Sequence, residues 1–452
     1  MTKDMTKGSP VKHILLFSIP LLIGNVFQQF YSMVDTIIVG RFVGVDALAA
    51  VGSTGSLVFL INGFALGLTS GFSVMVSQRF GANDEKGLRK AVSSSVVLCT
   101  ALVVLLTTIS LMAAKPLLHL MNTPENIFND AYTYVFIIFA GIITTVAYNM
   151  MASILRALGD SKSPLYFLII SSVLNIILDL VLIINFNMGV AGAAYATIFS
   201  QGVSALLCFV YILKKYTILK LKREDYDVKK SMYVKHLKIG IPMALQFSIT
   251  ALGLVTVQGA LNPLGSTFIA AYTASSKALQ LVMQPAVTYG VTMATYCAQN
   301  LGAKRYDRIK DGVNKAIIIS IITSIIAGAA LILFGTQFVK LFIENPDASI
   351  ISASKQVLDI SGIFFIPLGL IFIYRNALQG IGESFVPMMA GVAELGARAL
   401  VAFTLPAYWG FFGICVADPF AWIAASVPLA LYYHSTIKKL LAQNSQLAEI
   451  TA

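Results

Sequence analysis

The chain has 452 residues, of which 57% are hydrophobic and 12% charged, with a mean hydropathy of +0.80. Apolar stretches of about 20 residues or more fill it nearly end to end, which excludes a soluble globular protein and indicates a polytopic membrane protein. The net charge of +11 would suit a nucleic-acid binder, but the charges are sorted between loops rather than gathered into a patch.

In chain order, six spans are predicted at 12–38, 46–77, 91–114, 126–155, 163–185 and 189–213. A charged segment follows, and then six more spans at 236–261, 267–298, 313–339, 349–378, 385–407 and 411–436. The spans are rich in helix formers and glycine and lack alternating blocks of about ten residues, so a β-barrel is excluded. A helix also satisfies its own backbone hydrogen bonds in lipid. The expected fold class is therefore an all-α polytopic membrane protein with twelve transmembrane helices in two six-helix lobes. The amino-terminal lobe is placed at 1–213, a cytoplasmic linker at 214–235 and the carboxy-terminal lobe at 236–452. The linker is read as solvated or as lying on anionic lipid.

Of the 32 Lys and Arg, 25 fall in segments on one side of this arrangement, including nine between Lys214 and Lys238. Arg41, Lys115, Lys340 and Lys355 fall on the other side, and Lys277, Arg375 and Arg398 lie within spans. The positive-inside rule then places both termini in the cytoplasm. The first apolar stretch is too long for a secretory signal, and no small-residue cleavage site follows it. Cys99, Cys208, Cys297 and Cys415 stand singly in predicted helices and read as small apolar residues. His13, His119, His236 and His434 fall near span ends without metal-ligand spacing, so no metal site is expected. Phosphate-binding and hydrolase motifs are absent from the sequence, which points away from an enzyme and toward an ion gradient as the energy source.

The sequence repeats itself at a nearly constant offset of 221 to 223 residues. Ser18-Ile19-Pro20 returns as Gly240-Ile241-Pro242, and Gln78, Gly81 and Ala82 return as Gln299, Gly302 and Ala303. Gly159, Asp160, Ser161 and Pro164 return as Gly382, Glu383, Ser384 and Pro387, and Gly189, Gly192 and Ala196 return as Gly410, Gly413 and Ala417. Two halves of one topology are a common construction of membrane transporters.

Ionisable groups inside a membrane cost about 2.5–3.5 kcal/mol each at mid-depth and so mark candidate sites. The first half has Asp35 late in the first span and Asp179 late in the fifth, with Asn175 one turn before Asp179 on the same helix face. Two carboxylates with amide and hydroxyl oxygens nearby suit a small cation or a proton. Asp35 also fits a simpler role as a helix cap at the interface. Pro20 removes a hydrogen bond from the helix that carries Asp35 and is read as a kink.

On its twelve spans, its two repeats, its long middle segment and the echoed turns "SQRFGANDEKGLRKA" and "AQNLGAKRYDRIKDG", the chain resembles the multidrug and toxic compound extrusion (MATE) family of bacterial transporters. The resemblance covers essentially the whole chain. It implies two lobes around a central cavity and export of amphipathic, often cationic compounds in exchange for protons or sodium ions, with no further cofactor. In the branch whose amino-terminal lobe binds the coupling ion, the matching residues here are Asp35, Asn175, Asp179 and Thr197. Gln28, Tyr31 and Asn149 match neighbouring polar positions, and Pro20 matches the proline of the first helix. The acid of the other branch in the seventh span has no counterpart in "IPMALQFSITALGLVTVQG", and Asp359 lies earlier than that branch requires.

The second half has its own charges: Lys277, Arg375, Glu394, Arg398 and Asp418. The offset maps Asn175 onto Arg398 and Thr197 onto Asp418, and Glu394 is one turn before Arg398. One expectation is a fixed internal ion pair that stiffens this lobe; the other is that Lys277 and Arg375 face the cavity and attract an anionic group. The implied partners are a small-molecule substrate and the bilayer of the bacterial cytoplasmic membrane, with no nucleic acid and a single chain sufficient. A flippase for lipid-linked sugar or peptidoglycan precursors is the alternative within the same superfamily.

Overall fold

A computed structural model describes residues 4–343 and 346–451, and among them it is helical with no strand. The helices are α1 (Pro10–Phe42), α2 (Val45–Gly81), α3 (Glu85–Leu120), α4 (Glu125–Ala140), α5 (Ile142–Ala157), α6 (Lys162–Leu180), α7 (Gly189–Lys215) and α8 (Lys230–Leu261). They continue with α9 (Ser266–Val282), α10 (Gln284–Gly302), α11 (Tyr306–Lys340), α12 (Ala348–Ile363), α13 (Phe365–Gly380), α14 (Phe385–Thr404), α15 (Pro406–Trp409), α16 (Phe411–Cys415) and α17 (Ala417–Thr451).

Among the described residues, nine of the predicted spans are helices long and apolar enough to cross a membrane. Two more are bent pairs, α4 with α5 at 46° and α12 with α13 at 53°. At the first bend, a Cβ on Gly141 would lie 2.3 Å from the Ile198 side chain, so only glycine lets α7 approach there. The remaining predicted span, 267–298, the eighth in chain order, is α9 and α10, which meet at Met283 just before Pro285. It is the most polar of the twelve, carrying Lys277 and the threonines of α10.

The chain divides into two compact units, residues 19–247 with Asp4, and residues 5–18 with 248 onward. In the first unit α2 packs against α3, α4 and α5, and α7 packs against α4, α5 and α6. A Cβ on Gly67 would lie 2.5 Å from Cα of Ala244, and one on Gly71 2.5 Å from Cα of Gly240. The first half of α8 therefore lies backbone to backbone on α2, and a larger residue at either position would force them apart.

In the second unit α13 packs against α10, α11 and α17, and α14 packs against α17. Residues 5–18 are fastened to this unit. Met5 is fully buried, its N–H donates to Gln299 Oε1 (3.0 Å), and its carbonyl accepts from Asn300 Nδ2 (3.3 Å) and Arg308 Nη2 (3.0 Å). Ser18 and Thr292 share a hydroxyl–hydroxyl bond of 2.8 Å.

The sequence repeat is also a repeat of backbone conformation. Asn83 and Lys304, which close the two Gln-x-x-Gly-Ala turns, are left-handed at φ 53° and 57°. Gly159 and Gly382 have φ 82° and 93°.

The segment read as a linker is folded, not solvated along its length. It makes short 3-10 turns at Thr217–Leu219 and Arg223–Tyr226. Asp225 is buried, its carbonyl accepts Ser93 Oγ (2.6 Å), and its carboxylate faces Arg89 Nε (3.4 Å). Lys90 Nζ donates to the Asp227 carbonyl at 2.8 Å. Basic residues at the start of α3 thus receive one acid hidden among the lysines of this segment, Asp225, and the backbone carbonyl of Asp227.

Asp160, in the turn between α5 and α6, accepts from the Ser163 N–H (3.0 Å), the Ser163 hydroxyl (2.7 Å) and the Tyr216 hydroxyl (2.7 Å). Burial works to raise its pKa, but these donors outweigh burial and hold the carboxyl below its ordinary value. A depressed carboxylate stabilises the fold above its ordinary pKa, and that contribution is lost as pH falls through the lower folded value. Asp160→Ala is expected to cost about 1–3 kcal/mol at neutral pH, measured by thermal unfolding in detergent, with the gap to the parent closing only in strong acid.

Candidate functional site

The helix α1 carries Gln28, Tyr31 and Asp35 at spacings of a single face. The helix α6 carries Asn175 and Asp179 one turn apart, with 1% and 0% exposure. The carboxyls of Asp35 and Asp179 are within hydrogen-bonding reach of each other, and the hydroxyls of Tyr31 and Tyr134 lie in the field of both. Five polar atoms at this place are buried without a partner: Asp35 Oδ1, both oxygens of Asp179, and Oδ1 and Nδ2 of Asn175.

Two facing carboxylates repel in a medium of low dielectric, and each orphaned polar group costs about 1–3 kcal/mol. No packing demand on α6 calls for this, since an apolar residue would fill either position more favourably. The donor set is oxygen-rich and acidic, and it fits a proton or a small hard cation. Directly after Asp179 the helix widens into a π-turn, Val181–Asn185. Such turns recur beside functional groups because they shift the facing of the residues around them.

Other matched positions lie elsewhere. Thr197 is half-buried on α7; its carbonyl accepts the Ser200 hydroxyl, and no hydrogen bond joins it to either acid. Asn149 is half-buried on α5, Gln28 is exposed, and Pro20 is buried inside an unbroken α1. Tyr134 was not singled out from the sequence, because its stretch "AYTYVFIIFA" offers several aromatic residues and no pattern that prefers one.

In the second unit four of the charges, Arg375, Glu394, Arg398 and Asp418, form one network. Arg398 Nε donates to Asp418 Oδ1 (2.7 Å) and its Nη2 to Glu394 Oε1 (2.9 Å). Arg375 Nη2 donates to the other oxygen of Glu394 (2.9 Å), and the Tyr272 hydroxyl to Asp418 Oδ2 (2.8 Å). Arg375 is thus 7% exposed and paired rather than presented beside Lys277, which is exposed with its Nζ 5.9 Å from the centroid of the Phe342 ring. Asp359 pairs with Lys355 at 2.9 Å.

A doubled, all-helical membrane chain with a buried acid cluster has the organisation of a transporter. The MatE family profile matches residues 20–181 and 242–404. Two relatives from Bacillus subtilis (strain 168) are the probable multidrug resistance protein YoeA, 30% identical over 97% of this chain and 96% of its own length, and the probable multidrug resistance protein YpnP, 29% identical over 95% and 96%. The outward-facing structure of a multidrug resistance MATE transporter of the MOP superfamily superimposes with a TM-score of 0.91 at 25% identity, over 97% of this chain and 98% of that one. The chain belongs to the MATE family and has its two-lobe fold.

The acid pair carries an expected stability signature. Asp179→Asn removes the repulsion and gives Asp35 a donor, so its unfolding midpoint at pH 8 is expected to equal or exceed that of the parent. A midpoint lower by several degrees would mean that the pair stabilises the fold.

Proposed function

We propose that the chain is a secondary active antiporter that exports amphipathic, often cationic compounds in exchange for protons or sodium ions. The observation that carries this reading is the buried, partnerless group of Asp35, Asn175 and Asp179 in the first unit. Relatives described as probable multidrug resistance proteins support the substrate class.

A proton shared between the two carboxyls, or a cation between them, removes their repulsion and gives the Asn175 amide a partner. Loading therefore changes the most favourable packing of α1 against α6, where Gly24 lies close to the Leu165 side chain. The helix α1 begins within the second unit and passes into the first between Ser18 and Ile19, one residue before Pro20. A proline there leaves a backbone carbonyl of the preceding turn without its helical donor and lowers the cost of bending. Ion loading thus biases one conformation over another, and the substrate moves with the change. The distribution of Lys and Arg supports an orientation with both termini on the cytoplasmic side of the bacterial membrane. The flippase alternative draws less support, because two of the three cations within the spans, Arg375 and Arg398, are neutralised by Glu394 and Asp418.

The test is dye efflux from proteoliposomes under a proton gradient or a sodium gradient imposed separately. Parent protein is expected to respond to one of the two, and Asp35→Asn and Asp179→Asn are each expected to lose at least tenfold in initial rate while remaining folded. Unimpaired gradient-driven efflux in both variants would remove the acid pair from coupling. Folded parent that moves no cationic dye under either gradient would redirect the search to lipid-linked substrates.

A further inference from the structure

The two repeats place different chemistry at corresponding positions. Counting 222 or 223 residues onward, Tyr31 becomes Gly253, Asp35 becomes Val257, Tyr134 becomes Val357 and Asp179 becomes Ala402. Val257, Val357 and Ala402 are buried in one hydrophobic cluster of the second unit. Every acid and phenol of the first site thus has an apolar residue or a glycine as its counterpart. The amide does not follow this rule: Asn175 becomes Arg398.

The room for Arg398 comes from the same exchange. A Cβ on Gly253 would lie 2.5 Å from Arg398 Nη1, so the guanidinium lies where a side chain at the position corresponding to Tyr31 would begin. Its other nitrogens are held by Asp418, at the position of Thr197, and by Glu394, and Tyr272 and Arg375 complete the bonding of those acids. Two guanidinium groups and two carboxylates leave the network formally neutral.

We infer that the second unit keeps the cation position of the repeat and fills it permanently with the Arg398 guanidinium, a cation tethered to the chain. Of the two related positions, only that of the first unit exchanges a cation with solution. If the guanidinium acts as a bound cation, removing it leaves a receptor for a free one. Glu394 Oε1 and Asp418 Oδ1 would then lose their donors while Tyr272 and Arg375 stay bonded. The vacated site should take a planar, hydrogen-bonding cation of guanidinium class and reject a bulky one that cannot donate. The bearing of this inference on transport rests on the coupling role proposed for Asp35 and Asp179, but the binding it predicts does not.

The experiment is thermal unfolding of purified full-length protein in detergent, with methylguanidinium chloride or tetramethylammonium chloride added at equal millimolar concentration. Arg398→Ala is expected to lower the midpoint by roughly 5–10 °C, since it leaves an uncompensated buried charge. Methylguanidinium should recover at least half of that loss, and tetramethylammonium none. The double variant Arg398→Ala with Asp418→Asn keeps the Arg375–Glu394 pair and a balanced charge. It should be more stable than Arg398→Ala and should not respond to methylguanidinium. The inference is overturned if Arg398→Ala is as stable as the parent, or is destabilised without selective rescue. If Arg398→Ala yields no folded protein, a folded double variant supports the inference, because the unpaired acid is then the damage. Failure of both variants overturns it, because packing rather than charge would then be what Arg398 supplies.

Discussion

An ionisable side chain removed from water must find a counter-charge, a set of hydrogen bonds or a proton, and that requirement governs how the two halves of this chain are built. In the second unit it is met internally for the charges, with each guanidinium facing a carboxylate and each carboxylate bonded more than once, and only Arg375 Nε of this network is buried without a partner. In the first unit it is left unmet at Asp35, Asn175 and Asp179. The same helical scaffold therefore contains one polar site whose charges balance and one whose buried polar atoms are left without partners. The first is suited to rigidity, and the second to responding to an ion.

What the sequence made legible follows from contrast. A carboxylate in an apolar run is conspicuous, so Asp35 and Asp179 were visible at once, and helical spacing tied Asn175 to Asp179. Glu394 and Arg398 were linked in the same way, being one turn apart. Groups that meet across helices were not legible. Arg375 and Glu394 lie on α13 and α14 and share no periodicity, so Arg375 was expected beside Lys277 instead. Tyr134 and Tyr272 are aromatic residues in aromatic-rich surroundings, and only the fold shows that their hydroxyls lie near acids. Thr197, Asn149 and Gln28 were chosen as matches to a family pattern, which specifies a helix and a register but not a side-chain contact.

The fold was legible in its number and order of apolar stretches, and less so in their continuity. Hydropathy is nearly uniform across Gly141 and Phe364, yet the helices bend by 46° and 53° there. Those bends come from close approach and helix-end geometry, which an average over residues does not register. The middle segment misled for a related reason. Its many lysines signal exposure, while its attachment rests on one carboxylate, Asp225 facing Arg89, and on backbone carbonyls that accept from Ser93 and Lys90, which no charge pattern reveals.

The assignment of residues 5–18 to the second unit, and of the first half of α8 to the first, has a consequence for ancestry. Each unit is finished by a segment encoded in the opposite half of the chain. A half-length precursor, the natural starting point of such a duplication, would have lacked the piece that completes it and could have obtained that piece only from a second copy, as a strand-exchanged homodimer. A division of the present chain at its middle segment would leave each half without the segment that the other contributes to its unit.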